Sequence, residues 1–77
     1  MNTKPAHDLK LGDKLLVTYL NGTTNIVTVI YADKANEQDR YFAHDTVGDP
    51  DVFWRVDTDD EEITIYRWDE EVQLADN

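Results

Sequence analysis

Asn21-Gly22 lies between two runs rich in β-branched and aromatic residues, Lys14-Leu-Leu-Val-Thr-Tyr-Leu20 and Thr23-Thr-Asn-Ile-Val-Thr-Val-Ile-Tyr31. Asn-Gly takes the positive φ angles of a tight turn readily, and branched side chains favour extended backbone. The stretch 14–31 therefore reads as a β-hairpin, with the rest of the chain as strands added to it.

A two-residue loop pairs Leu20 with Thr23 and a four-residue loop pairs Leu20 with Asn25. Both give the same faces, since the register shifts by an even step. One face then carries Leu15, Val17, Tyr19, Ile26, Thr28 and Ile30. The other carries Leu16, Thr18, Leu20, Val27, Val29 and Tyr31. A three-residue loop swaps the pairing and leaves both faces substantially apolar. An antiparallel hairpin with one solvated face alternates more cleanly than this. Either the barrel closes over one face and a second element or chain covers the other, or some apolar surface stays exposed as a binding site, or Thr18 and the loop threonines leave the second face wet enough to stand in water.

Seventy-seven residues make one domain with a small core. There is no cysteine, hence no disulfide staple and no thiolate chemistry, which points to an intracellular, cytoplasmic home. Met1 to Asp8 has no apolar segment of the kind found in a signal peptide, and no apolar run approaches the roughly 20 residues that span a bilayer.

The net charge is −10, and it is segregated. Residues 1–40 balance five acids (Asp8, Asp13, Asp33, Glu37, Asp39) against five bases (Lys4, Lys10, Lys14, Lys34, Arg40). Residues 41–77 hold twelve acids against Arg55 and Arg67 alone, and so carry all of it. Direct contact with nucleic-acid phosphates or an anionic membrane is disfavoured; a basic protein surface is favoured.

In chain order, residues 1–8 read as a flexible leader. Leu9-Lys-Leu-Gly-Asp13 turns into the first hairpin strand, an arrangement that resembles the start of small SH3-like barrels in architecture. Ala32 to Arg40 is a polar connection with room for one helical turn, and Tyr41 to Asp45 a short strand. The segment 45–51, with Gly48 and Asp49-Pro50, is a loop. Val52-Phe-Trp-Arg-Val56 and Ile63-Thr-Ile-Tyr-Arg-Trp68 form a second hairpin about an acidic turn, with Ile63 and Ile65 turned inward. The expected fold is all-β: a five-stranded antiparallel barrel or strongly bent sheet of SH3-like size, with a single β domain over 9–68 and an acidic tail over 69–77.

Motifs for chemistry are few. Asp57 to Glu61 imitates the opening of a calcium loop, but Glu62 stands where the loop needs glycine and Trp68 where it needs a bidentate Glu. His7 and His44 are isolated, there is no serine, and Gly12, Gly22 and Gly48 stand apart, so zinc, nucleophilic and phosphate-cradling motifs are all missing. No cofactor, no metal and no enzymatic role is expected.

The reading that remains is a non-enzymatic protein-binding module. An acidic face made of Asp49, Asp51, Asp57, Asp59, Asp60, Glu61, Glu62, Asp69, Glu70 and Glu71 would meet a basic partner, with Trp54, Tyr66 and Trp68 as apolar anchors. Its sharpest form is an inhibitor that mimics DNA toward a nucleic-acid-binding protein, similar in size and charge to small acidic phage-encoded inhibitors. The alternative is a homodimeric scaffold joined through Leu16, Leu20, Val27, Val29 and Tyr31.

Overall fold

The structure is a computed structural model and describes residues 2–42 and 52–75. The strands are β1 (Thr3–Pro5), β2 (Lys14–Thr18), β3 (Thr24–Lys34), β4 (Phe53–Thr58), β5 (Ile63–Arg67) and β6 (Glu71–Gln73). A 3-10 turn, Ala6–Asp8, follows β1, and a helix α1, Glu37–Phe42, follows β3. The chain is all-β in outline, as expected, with one helix among the described residues. The six strands of the described residues form two sheets rather than five strands in one: β2-β3-β4-β5 curls into a half-barrel, and β1 pairs with β6.

The first hairpin forms with a three-residue loop. Leu15 pairs with Val27 and Leu16 with Ile26, and the Tyr19 amide donates to Thr23 O at 2.8 Å. Gly22 sits at φ +87°, the left-handed position that such a loop assigns to glycine. This register swaps the faces expected from the shorter turn. Leu15, Val17, Val27 and Val29 share the concave face; Leu16, Ile26 and Ile30 look outward.

A register shift between Val29 and Tyr31 then reverses the alternation in β3. The extra residue of a bulge lets two successive side chains face the same way. Ile30 and Tyr31 both point outward, and Ala32 returns to the concave face opposite Val56. An eleven-residue strand thus keeps its core side buried along a curled path.

The second hairpin pairs Trp54 with Tyr66 and Val56 with Thr64. Trp54, Val56, Thr64 and Tyr66 therefore share the concave face. Ile63 and Ile65 lie opposite Asp57 and Arg55 on the convex side, the reverse of the expected orientation. Ile63 is accordingly exposed and Tyr66 half-buried.

The core brings Leu15, Val27, Val29 and Val56 together with Ala6, Leu9 and Val72. Ala6 has no exposed surface at all. Of residues 1–8, expected as a flexible leader, 3–8 are thus part of the fold: β1 runs beside β6, and the Ala6 and His7 amides donate to Glu70 O and Trp68 O at 2.9 and 3.0 Å. A buried alanine gives no signal in a polar stretch, which is why the segment reads as loose. The tail likewise contributes β6, whose Val72 fills the core.

The expected strand at 41–45 is not formed at its start, because Tyr41 and Phe42 end α1; residues 43–45 lie outside the described residues. Asn36 and Asp39 cap the helix reciprocally. The Asp39 amide donates to Asn36 Oδ1 at 2.7 Å, and the Asn36 amide to Asp39 Oδ2 at 3.3 Å. No helix among the described residues is long and apolar enough to cross a membrane.

Candidate functional site

The small β1–β6 sheet fills only part of the concave face. What remains is a cleft of ≈ 600 Å³ between the two edge strands of the half-barrel, β2 and β5. Leu15, Val17 and Tyr19 form one wall and Thr64 and Tyr66 the other, with Val56 and Thr58 beneath. The two hairpin loops stand at its mouth. Leu20, fully exposed, and Asn21 come from the first; Asp60 and Glu62 come from the turn between β4 and β5. The walls are mainly apolar and the rim carries carboxylates, a combination suited to holding an apolar group attached to a cation.

Asp60 is fixed at this rim. The Thr58 hydroxyl donates to one carboxylate oxygen, and the Tyr19 hydroxyl donates to the other at 3.1 Å. The Thr58 bond is the main reason that the Asp60 pKa falls below the usual aspartate value, outweighing partial burial, with the Tyr19 bond adding to it. Asp60 is therefore an oriented anion at neutral pH. Asn25 Nδ2 donates in turn to the Tyr19 hydroxyl at 3.3 Å. On the opposite wall, burial raises the pKa of Tyr66 and keeps its phenol neutral.

The other acids do not form one face. Asp57 is engaged on the convex side, where Arg55 donates to both of its oxygens at 2.8 Å. Asp59 accepts from the Thr28 amide at 2.9 Å, and Glu61 holds the turn at φ 67°. Asp69, Glu70 and Glu71 stand at the far end of β5, roughly 17 Å from the 59–62 turn at a strand rise of about 3.3 Å per residue. There Glu70 accepts from the Arg67 amide at 3.4 Å, and Arg67 Nε lies 3.8 Å from Asp69. Asp49 and Asp51 lie outside the described residues. Of the expected acidic face, Asp60 and Glu62 line the cleft.

The three aromatic anchors also separate. Trp54 and Tyr66 pack against the core from the concave side. Trp68 is exposed at the opposite end, with its ring centroid 4.9 Å from that of His7. The residues expected to share a self-association face do not share one. Val27 and Val29 are 1% exposed in the core, Leu16 and Tyr31 are on the convex side, and Leu20 tips the hairpin over the cleft.

A polar centre on the convex face was not foreseen. Besides Asp57, Arg55 donates to Asp39 at 2.7 Å, and its guanidinium lies 5.5 Å from the Tyr31 ring centroid. The hydrogen bonds to Asp57 and then Asp39 raise the Arg55 pKa and hold the cation firmly charged. The Arg40 guanidinium lies 5.1 Å from the Phe53 ring centroid, so β4 and α1 are joined at two points. A local signal that could have found α1 is the Asn36-Glu-Gln-Asp39 capping pattern, on which the expected helical turn did not rest; nothing local signals a contact sixteen residues away. Among the described residues no three His, Asp or Glu side chains converge as a metal site would need.

No protein-family model, curated protein or solved structure matches the chain.

Proposed function

We propose that the protein is a non-enzymatic binding module that takes an apolar segment of a basic protein partner into the cleft between β2 and β5. The observation that carries this reading is the pairing, in one concavity, of apolar walls with the fixed carboxylate of Asp60 and the neighbouring Glu62. The −10 net charge supports it, because a strongly acidic surface steers a basic partner over distances set by the Debye length, about 8 Å at physiological salt. The division of the acids between two ends of β5 favours local recognition at the cleft over mimicry of a duplex, which needs a continuous charged face.

The test is a nuclear magnetic resonance titration with short peptides carrying valine or leucine beside lysine. Shifts concentrated on Val17, Tyr19, Asp60 and Tyr66, weakening steeply between low and physiological salt, support the reading. The double variant Asp60→Asn/Glu62→Gln should bind at least about tenfold more weakly, equivalent to roughly 1.4 kcal/mol. Binding that ignores salt, or shifts confined to the convex face, would overturn it.

A further inference from the structure

The backbone beside the cleft constrains how a partner enters. β5 has β4 as its only sheet neighbour among the described residues. The Thr58 amide donates to Glu62 O and the Trp68 amide to Val52 O, which fixes the phase of the β4–β5 ladder. In an antiparallel pair the bonded positions alternate, so residues 62, 64, 66 and 68 turn their peptide groups to β4. Ile63 and Ile65 turn theirs away from the sheet, along its open edge. The side chains of Thr64 and Tyr66, between them, face the cleft.

An open edge with unpaired peptide groups is a template for another strand. Here it borders a concavity that a closed barrel of this curvature would have filled. The opposite wall belongs to β2, whose Lys14 O already accepts from the Ala75 amide at 2.9 Å, so the start of that edge is occupied. Among the described residues, β5 is the freer of the two edges.

We infer, resting on the proposed function, that the partner segment binds extended and adds a strand to the half-barrel along β5. Its main chain bonds the peptide groups of Ile63 and Ile65, its alternate apolar side chains enter the cleft, and a basic residue at one end reaches Asp60 and Glu62. The occupant is thus a β-forming segment of alternating pattern, because only alternate side chains of a strand share a face. Charge complementarity selects a basic one: the turn that begins this edge holds Asp59, Asp60, Glu61 and Glu62.

The probe is the synthetic peptide Lys-Val-Thr-Val-Thr-Val-Lys with blocked ends. Two further forms carry N-methyl groups on all three valine amides or on both threonine amides. Only one of these sets faces β5 in a bound strand, so strand addition predicts that one form loses binding at least about tenfold and the other does not. The same peptide should slow amide exchange at Ile63 and Ile65. Ile65→Pro should weaken binding, since it removes an amide that β4 does not use.

Equal effects of the two methylated forms, or binding without slowed exchange at Ile63 and Ile65, overturn strand addition. Shifts at Val17, Tyr19 and Asp60 in that case still uphold the cleft as the site. A lysine–leucine peptide of helical spacing completes the set. Should it bind the cleft while the alternating peptide does not, strand addition falls alone; should neither shift those residues, the proposed function falls with it.

Discussion

The Tyr19 hydroxyl donates to Asp60 at 3.1 Å across forty-one residues of chain, and so joins the tips of the two hairpins over the cleft. The bond couples a loop of the first hairpin to the acidic turn of the second. The shape of the cleft mouth and the charge state of its rim thereby depend on one another.

Tyr19→Phe should leave the fold intact and cost at most about 1 kcal/mol, the net worth of a single exposed hydrogen bond. The Asp60 pKa should move up toward its ordinary value, because one bond that favours the carboxylate is gone. Carbonyl-carbon resonance titration of Asp60 reads the pKa, and urea unfolding reads the stability.

Acid should destabilise the protein through Asp13 and Asp60. Partial burial acts to raise the Asp13 pKa, but the Lys10 amide at 2.9 Å and the Lys4 ammonium at 3.1 Å outweigh it and lower the value. Both groups bind protons less readily folded than unfolded. Their contribution is therefore complete above the unfolded aspartate value of about 3.9 and is lost as pH falls through the lower folded values. Unfolding midpoints should fall below about pH 4, and Asp13→Asn/Asp60→Asn should flatten that fall.

Arg55→Lys should fail to replace arginine. A lysine cannot bond both oxygens of Asp57 and reach Asp39 at once. Arg55→Ala should cost about 1–3 kcal/mol, below the figure for a fully buried pair because the side chain is partly solvated. Faster amide exchange in α1 than in β2 would mark the lost link.

Val27→Asp should unfold the chain instead of altering any association, since Val27 is 1% exposed beside Leu15. Burying a carboxylate without a partner costs several kcal/mol, a large part of the stability of a small domain. Circular dichroism should show loss of strand signal. Ile30→Asp, on the exposed side of the same strand, should keep it.

Both hairpins were legible because their signals are local: Asn21-Gly22 for the first, and an alternating run on each side of an acidic turn for the second. Orientation was less so. Asn21-Gly22 serves a two-residue or a three-residue loop, and one residue of difference exchanges Leu16 for Leu15 in the core. The bulge at Ile30 reverses the pattern again, with no glycine to announce it. Ile63 and Ile65 were expected inside on hydrophobicity, yet register with Trp54 and Val56 turns Thr64 and Tyr66 inward. The rim of the cleft is set by Tyr19 meeting Asp60, a separation at which periodicity carries no information. The acidic charge was plain from composition; its division between two ends of β5 required the fold.

The pairing of β1 with β6 has a mechanical consequence. The two strands run antiparallel, with Thr3 beside Gln73 and the Leu74 amide on Asn2 O at 2.9 Å, so residues 2 and 75 lie side by side. Tension applied at these points pulls across the ladder and not along it. The bonds then fail one after another, like a zip, with the Ala75 amide's bond to Lys14 O of β2 among the first to open. Stretched from its ends, the protein should yield at low force in two steps, first releasing the β1–β6 clasp and then the four-stranded sheet.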